Sequence, residues 1–364
     1  MLKKLTESIR EYKLPSILTF LFILLEAIIE CFIPFITASL IDKIEAGTDM
    51  ENVVKTGLLL FVMACASLCC GGIAGVTCSK ASSGFAKNLR RDMFYNIQSY
   101  SFQNIDRFSA SSLVTRLTTD ITNVQMAYMM IIRTAIRAPL VMIFSIVMAF
   151  IMGGRLALSF VIIVPVLGLG LFLISRKAMP AFRRVFKKYD RLNESIEENV
   201  RGMRVVKGFS REEHEKKKFA LAAEDICTDF TKAERIVALN SPLMQICVYF
   251  NMVFVLLVGS RLIITSGGNL INVGEISAML NYGMQIMIQL MMLTMIYVMI
   301  TMSGESAKRI CEVLDEKTVL GNPENPVTEV KDGSVDFCGV SFKYASDAEK
   351  FALADIDLHI DSGM

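Results

Sequence analysis

Six long runs of apolar residues are the feature that most restricts what this chain can fold into. A helix rises about 1.5 Å per residue, so about 20 apolar residues cross the roughly 30 Å core of a bilayer. With 53% hydrophobic and only 20% charged residues among 364, the chain is too apolar for a soluble protein of two or three domains. The sequence predicts an all-α membrane protein with spans at about 15–41, 53–78, 131–152, 155–174, 242–264 and 276–302.

Positive charges predict the orientation of these spans. Of the 38 Lys and Arg residues, the three loops on one side of the membrane contain only Lys43, Lys55, Arg155 and Arg261. Because Lys and Arg accumulate in cytoplasmic loops, we expect both termini in the cytoplasm of a cell-membrane protein. The basic, amphipathic segment 1–14 suits a helix on the cytoplasmic membrane face. The first apolar run is too long for a signal peptide and lacks an A-x-A cleavage site, so we expect a retained anchor.

The two long cytoplasmic connections are predicted to be helical hairpins that extend far from the membrane. Adding about 25 residues of helix to a span lengthens it by about 35–40 Å. Ser101–Gln125 turns the first hairpin, where Asn104 and Asp106 are predicted to break the helical pattern. Ser109, Ser111 and Ser112 are candidate N-caps of the next helix. Gly202–Lys217 turns the second hairpin, with Gly208 as the predicted break.

The C-terminal part changes from helix to strand pattern. A linker rich in Pro, Asn and Gly covers residues 319–333. The stretch GSVDFCGVSFKY then alternates apolar side chains, with a shift between Phe337 and Val340, and residues 352–360 form a second stretch of the same type. We expect residues 334–364 to be the incomplete start of another domain.

This order of elements resembles ABC exporters, in which a type-1 transmembrane domain, here residues 15–318, is fused to a nucleotide-binding domain. NIDRFSASSLVTRLTTDITNVQ is similar to their first intracellular loop and ENVRGMRVVKGFSREEHEKKKF to their second. SAKRICEVLDE resembles the helix that leads into the nucleotide-binding domain, and GSVDFCGVSFKY resembles its first strand. Within the family, the chain is most similar to multidrug and lipid exporters of the bacterial heterodimeric branch. The resemblance implies coupling helices at Asn104, Ile105, Asp106, Arg107 and Phe108, and at Phe209, Ser210, Arg211, Glu212 and Glu213.

The resemblance also implies ATP and Mg²⁺ as cofactors, a second half-transporter as partner, and stacking of Tyr344 on the adenine ring. An edge-strand tyrosine without a ligand is the alternative for Tyr344. Phosphate binding needs a G-x-x-x-x-G-K-[ST] loop, and the sequence has none. We therefore expect this chain to be unable to hydrolyse ATP alone, as the membrane half of a longer transporter or a truncated product.

Glu26 and Glu30 stand one helical turn apart inside the first span. Ionisable groups at this depth are costly and are expected to face protein or water. Arg137 is predicted at a similar depth of about 22 Å. We hypothesise that Glu26 or Glu30 pairs with Arg137 or Arg133, or with a cationic substrate in a central cavity. A purely structural ion pair, or an arginine that extends to the membrane surface, is the alternative.

The sixth span contains a polar stripe, Asn281, Gln285 and Gln289, among many methionines. Amides that face lipid are costly, so the stripe is predicted to line a water-filled path. Flexible side chains such as Met284 and Met291 suit varied apolar ligands, although ordinary helix packing also explains them. The resemblance implies amphipathic drugs, lipids or peptides as ligands.

Two other functions compete with a transporter. A membrane sensor or regulatory subunit could use the same helices without a nucleotide-binding domain. A membrane enzyme is disfavoured, because the sequence has no H-E-x-x-H motif and no paired nucleophile and base. Neither nucleic-acid binding nor a metal site is predicted. The nine cysteines lie mostly in apolar helical runs, which favours small packed side chains over disulfides.

Overall fold

Long apolar helices dominate the structure. The computed structural model describes residues 2–267, 270–317, 325–326, 328–329, 332–343 and 349–364. Within these residues, five helical stretches are long and apolar enough to cross a membrane: Arg10–Glu45, Met50–Gln98, Ala110–Arg201, Glu212–Ser266 and Val273–Asp315. The predicted all-α membrane fold is confirmed. The third stretch contains the tight turn at which two of the six predicted spans meet, so the division into six spans stays a prediction.

The helices follow one another with short connections. Their bounds are α1 Leu2–Glu7, α2 Lys13–Glu45, α3 Met50–Gln98, α4 Phe102–Arg107, α5 Ala110–Thr115, α6 Ile121–Met130, α7 Ile136–Gly153, α8 Leu158–Arg201, α9 Met203–Gly208, α10 Glu212–Val237, α11 Asn240–Ser266 and α12 Val273–Asp315. π-Helical turns at Arg116–Asp120 and Ile131–Ala135 join α5, α6 and α7. Strands β1 (Val335–Phe342) and β2 (Leu353–Ile360) follow α12.

The chain divides into two compact units, and the larger one comprises Ile9–Ala86 and Asn123–Glu305. Its main core lies between α2, α7, α8, α11 and α12, and the fully buried Phe160 and Tyr282 are its largest side chains. The Tyr282 hydroxyl donates to the Cys31 carbonyl at 2.8 Å, so its polar end is satisfied inside the apolar core. Gly154, at φ +48°, ends α7 with a 3₁₀ turn before α8. Only glycine adopts this backbone conformation readily, as the predicted tight turn requires.

The backbone at the start of α12 is in direct contact with α2. The Gly274 amide donates to Asp42 Oδ1 at 2.8 Å, which satisfies one of the free N–H groups of the first helical turn. A side chain at Gly274 would overlap the carbonyl oxygen of Ala38. The contact therefore depends on the absence of a Cβ atom at this position.

The smaller unit comprises Met1–Ser8, Lys87–Thr122 and Ser306–Met364. Its two strands pair antiparallel, with Val335 opposite Ile360 and Phe342 opposite Leu353. The register changes after Phe337, at Gly339, which has φ +58°. This β-bulge explains the shift in the apolar alternation, so both predicted strands are confirmed.

The N-terminal segment is not the single helix predicted for residues 1–14. Helix α1 ends at Glu7, and Arg10, at φ +40°, interrupts the helix before α2 begins at Lys13. Within the smaller unit Leu5 is buried, and the Ser8 carbonyl accepts a hydrogen bond from Asn88 Nδ2 at 3.0 Å. Part of the apolar side of α1 thus packs against other residues of the protein.

Candidate functional sites

The first hairpin turns through a short helix with defined ends. Ser101 and Asn104 form a capping box at the start of α4, with the Ser101 amide donating to Asn104 Oδ1 at 3.1 Å. Of the three candidate serines, Ser109 caps α5 by accepting from the Ser112 amide at 3.3 Å. The prediction that Asn104 and Asp106 break the helix was wrong, because both lie inside α4. The asparagine side chain starts the helix instead of ending it.

The α4 tip is fastened to the residues at the end of α12. Arg107 Nη1 donates to Glu316 Oε2 at 2.7 Å, and Asn104 Nδ2 donates to Glu316 Oε1 at 2.8 Å. Phe108 is buried and lies against two guanidinium groups, those of Arg107 at 5.6 Å and Arg116 at 5.0 Å from the ring centre. These contacts are charge-assisted hydrogen bonds and cation–π contacts, both of which depend on side-chain geometry. Ile105 remains 43% exposed and is free to contact another surface.

Donors from the smaller unit satisfy the last carbonyl groups of α12. The Val313 carbonyl accepts from Asn96 Nδ2 at 2.6 Å and from the Tyr100 hydroxyl at 2.7 Å. The Leu314 carbonyl accepts from Lys4 Nζ at 3.2 Å. The last four carbonyls of a helix lack partners within the helix, and positive charge is favourable at this end. Side-chain donors from Asn96, Tyr100 and Lys4 therefore hold the C-terminal end of α12 in place.

An ion pair with a buried carboxylate lies next to α12, shortly before the end of this helix. Asp120 is fully buried and accepts from Arg309 Nε at 2.7 Å and from Ser306 Oγ at 2.8 Å. Burial works to raise the pKa of Asp120, but hydrogen bonds from Arg309 and Ser306 outweigh it and hold the pKa below its ordinary value. Asp120 is therefore an anion at neutral pH.

Arg116 lies one turn before Asp120 and forms the next contact. Its Nη1 donates to the Arg309 carbonyl at 2.6 Å and to Glu312 Oε2 at 3.1 Å. Arg116 and Asp120 lie in the stretch that resembles the first intracellular loop, where the sequence predicted no role for them. Their spacing of four, matched by charged residues near the end of α12, is the signal that was available.

The second tip has a different shape from the one predicted. A short helix was expected at Phe209–Glu213, but the helix is α9, and Phe209, Ser210 and Arg211 form the turn after it. The Arg211 amide donates to the Val206 carbonyl at 3.0 Å and the Ser210 amide to the Lys207 carbonyl at 3.2 Å, with Ser210 at φ +49°.

This is a Schellman motif with serine at the position that glycine usually takes. Gly208, the predicted break, lies within the last turn of α9. Glu212 and Glu213 begin α10, where acidic side chains favour a helix N-terminus. Phe209 is 76% exposed at the tip.

The charged residues of the first span form an ion cluster inside the larger unit. Arg137 Nη2 donates to Glu30 Oε2 at 2.5 Å, and Arg137 Nε lies 3.5 Å from Glu26 Oε1. Of the two hypothesised arginines, the structure therefore places Arg137 with the glutamates. Arg133 is exposed and lies beside Gly75 instead.

The polar stripe of α12 does not share one environment. Asn281 is exposed and donates to the Ser277 carbonyl of its own helix at 2.9 Å, Gln285 Oε1 accepts from Ser145 Oγ at 2.9 Å, and Gln289 is buried. Met284 and Met291 are each 48% exposed. A spacing of four advances about 40° around a helix, so residues 281, 285 and 289 follow one side of α12 with a gradual rotation. The three amides differ in contacts and exposure, and a water-filled path lined by them stays a prediction.

Sequence comparison gives the family of this chain. Residues 16–300 match the family described as the ABC transporter transmembrane region. The chain belongs to this family. It is a multi-pass membrane protein of the ABC transporter type, and α2 to α12 supply the matched transmembrane region.

Curated relatives match beyond the transmembrane region. The uncharacterized ABC transporter ATP-binding protein YfiB of Bacillus subtilis (strain 168) is 28% identical over 94% of this chain and 59% of its own length. The uncharacterized ABC transporter ATP-binding protein Rv1273c of Mycobacterium tuberculosis is 29% identical over 98% of this chain and 61% of its own length. The putative ABC transporter ATP-binding protein exp8 of Streptococcus pneumoniae is 22% identical over the whole chain and 61% of its own length. The chain therefore spans about three fifths of the length of these ABC transporter proteins.

Tyr344, the predicted adenine contact of this ABC transmembrane chain, lies outside the described residues. The described residues after α12 contain two strands and no glycine-rich loop that opens onto a helix, the geometry that binds phosphate groups. No step that uses ATP or Mg²⁺ is assigned to them.

Proposed function

We propose that this chain is the transmembrane half of an ATP-driven exporter. One observation carries the proposal: α3 and α8 contain 49 and 44 residues and lead to the short tip helices α4 and α9. At 1.5 Å per residue these helices measure about 74 and 66 Å, while a bilayer core needs about 30 Å. Each helix has about 40 Å left to carry its tip into the cytoplasm.

The tips would transmit motion from nucleotide-binding domains to the membrane helices. Exposed apolar side chains at helix tips, such as Ile105 and Phe209, suit docking onto another domain. The relatives are named ATP-binding proteins and are longer than this chain, which supports a nucleotide-binding domain as the docking partner. That domain would bind ATP and Mg²⁺, with Tyr344 stacking on the adenine.

Six spans would form half of a translocation path, so a second half-transporter, identical or different, would complete it. ATP binding would close the nucleotide-binding domains and switch the spans from inward-facing to outward-facing. Both termini would lie in the cytoplasm, and the substrates would be amphipathic drugs, lipids or peptides.

The first test is ATP-driven transport by the complete protein and its partner half in inverted vesicles. Ethidium, a fluorescent phospholipid and a fluorescent peptide serve as probes. We expect ATP hydrolysis and uptake of at least one probe, and we expect Phe209→Ala to lower uptake at least fivefold because it removes an exposed tip anchor. Leu221→Ala, at a similarly exposed apolar site on α10, is the matched control and should transport normally. Absence of ATP hydrolysis with every partner would favour a sensor or regulatory subunit.

The ion cluster supports cations among the substrates. Among the described residues, Glu26 and Glu30 both pair with the guanidinium of Arg137, so the cluster contains two carboxylates for one arginine. Glu26 makes the longer contact, and its carboxylate packs against Gly71, where a Cβ atom would come within 3.2 Å of it. We assign the second carboxylate to recognition of a lipophilic cation, with the exposed Met284 and Met291 offering apolar contacts.

Glu26→Gln tests this assignment. We expect ethidium uptake to fall about tenfold, corresponding to about 1.4 kcal/mol, and uptake of a neutral phospholipid to stay unchanged. Glu51→Gln, at an exposed position on α3, is the control. Equal losses for both probes would contradict a role in recognition and leave only a structural ion pair.

A further inference from the structure

We propose that three ion pairs within the smaller unit form a charge ladder that makes the first loop and the end of α12 move as one body. The ladder consists of Asp120–Arg309, Arg116–Glu312 and Arg107–Glu316. It rests on the proposed function, since it concerns how motion caused by ATP reaches the first hairpin. A nucleotide-binding domain that follows α12 would then move the first loop through α12 itself, and not solely by pressing on the tip.

The geometry of the ladder follows a regular helical repeat on the α12 side. Residues 309, 312 and 316 lie at spacings of three and four, so they share one face of α12 and its continuation. On the first loop, residues 107, 116 and 120 present the opposite charges in antiparallel order. Arg107 lies at the end of α4, and Arg116 and Asp120 lie at the two ends of a π-helical turn. The three contacts follow one another along about two turns of α12 and its continuation.

The two end pairs each join one buried or largely buried carboxylate to a more exposed arginine. The Asp120 side chain is fully buried and Arg309 is 46% exposed, while Glu316 is 16% and Arg107 69% exposed. The Asp120–Arg309 pair is bidentate, with Arg309 Nη2 also donating to Asp120 Oδ1 at 2.5 Å. A buried ion pair adds little net stability compared with apolar packing, but it requires one geometry of its two partners. We infer that this pair fixes the register between loop and helix.

Backbone acceptors make the ladder stiff. Arg116 bonds the Arg309 carbonyl, Asn104 Nδ2 donates to the Lys317 carbonyl at 3.2 Å, and Asn96 and Tyr100 hold the Val313 carbonyl. A sliding motion of α12 against the first loop would break these bonds together. Rotation of one side chain cannot free α12 from the first loop. Donors at four positions, Asn96, Tyr100, Asn104 and Arg116, bond to backbone carbonyls of α12 and its continuation. The residues of the ladder are positioning residues for transport.

Hydrogen exchange of the complete protein, measured with and without ATP and vanadate, tests the ladder. In the unaltered protein we expect ATP with vanadate to change exchange in residues 101–125 and 309–317 together. In Asp120→Asn, which keeps the side-chain size but removes the charge, we expect the change at 309–317 to persist and the change at 101–125 to fall at least threefold. A role limited to stability would shift exchange in both states without removing the nucleotide response.

Controls separate the possible outcomes. Glu197→Gln breaks an exposed pair with Arg201 on α8 and should leave every response unchanged. If Asp120→Asn does not accumulate, Glu316→Gln removes the pair with Arg107 and must reduce the response at 101–125 at least twofold. A full response at 101–125 in either variant overturns the ladder while the proposed function stands. If the unaltered protein shows no nucleotide response, the proposed function fails, and the ladder fails with it.

Discussion

Replacing Arg137 with methionine is expected to lower the free energy of unfolding by about 2–3 kcal/mol. The change leaves Glu26 and Glu30 inside the helix bundle without their counter-charge. Breaking a fully buried pair costs about 3–5 kcal/mol, and the lower figure allows for the 20–33% exposure of these three side chains. Arg137→Met keeps most of the volume, so packing loss contributes little.

The midpoint of thermal unfolding in detergent measures this effect. The matched control is Arg261→Met, because Arg261 is exposed and lies near the end of α11. The triple variant Glu26→Gln, Glu30→Gln, Arg137→Met removes all three charges and should recover at least half of the loss. If the triple variant is as unstable as Arg137→Met, the lost stability comes from packing and not from uncompensated charge.

Gly274→Ala is expected to have an effect of similar size at the start of α12. The new methyl group would overlap the Ala38 carbonyl oxygen and lie 2.6 Å from Asp42 Oδ1. The backbone of α2 must therefore move, and the Gly274 amide would lose its hydrogen bond to Asp42. Overpacking costs about 1–3 kcal/mol and a hydrogen bond about 1 kcal/mol, which together give about 2–4 kcal/mol.

Gly304→Ala in the same helix provides the control. No atom lies within 4 Å of a Cβ built at Gly304, and alanine favours a helix over glycine. We expect the control to unfold at the same or a higher temperature and Gly274→Ala at a lower one. Equal midpoints for the two variants would mean that α2 and α12 do not approach as closely as the structure places them.

Much of the fold follows from local sequence patterns. Apolar run length predicted the long helices, and Ser109 was among three serines identified as candidate helix caps. Apolar alternation predicted two strands and the shift within β1. These features depend on residues close together in the chain. Periodicity and capping chemistry are therefore sufficient to find them.

Turn geometry was harder to predict. Gly208 was expected to break the second hairpin because glycine is the usual residue at a helix C-terminus. The break instead uses Ser210 in the left-handed conformation, two residues later. Asn104 was misassigned for a related reason, since its side chain can end a helix or cap the start of one. Local propensity allows both outcomes, and the surrounding contacts select one.

The sequence by itself determined the class of protein: apolar runs of span length, the charge distribution of the loops and two long helical hairpins. It narrowed the partner of Glu26 and Glu30 to two arginines one turn apart, and only the tertiary structure selected Arg137. It gave no indication that Asp120 would meet Arg309, which lies 189 positions away. Run length and charge are properties of neighbouring residues. Ion pairs between distant helices depend on how those helices pack, and several pairings of the same charges satisfy the sequence equally well.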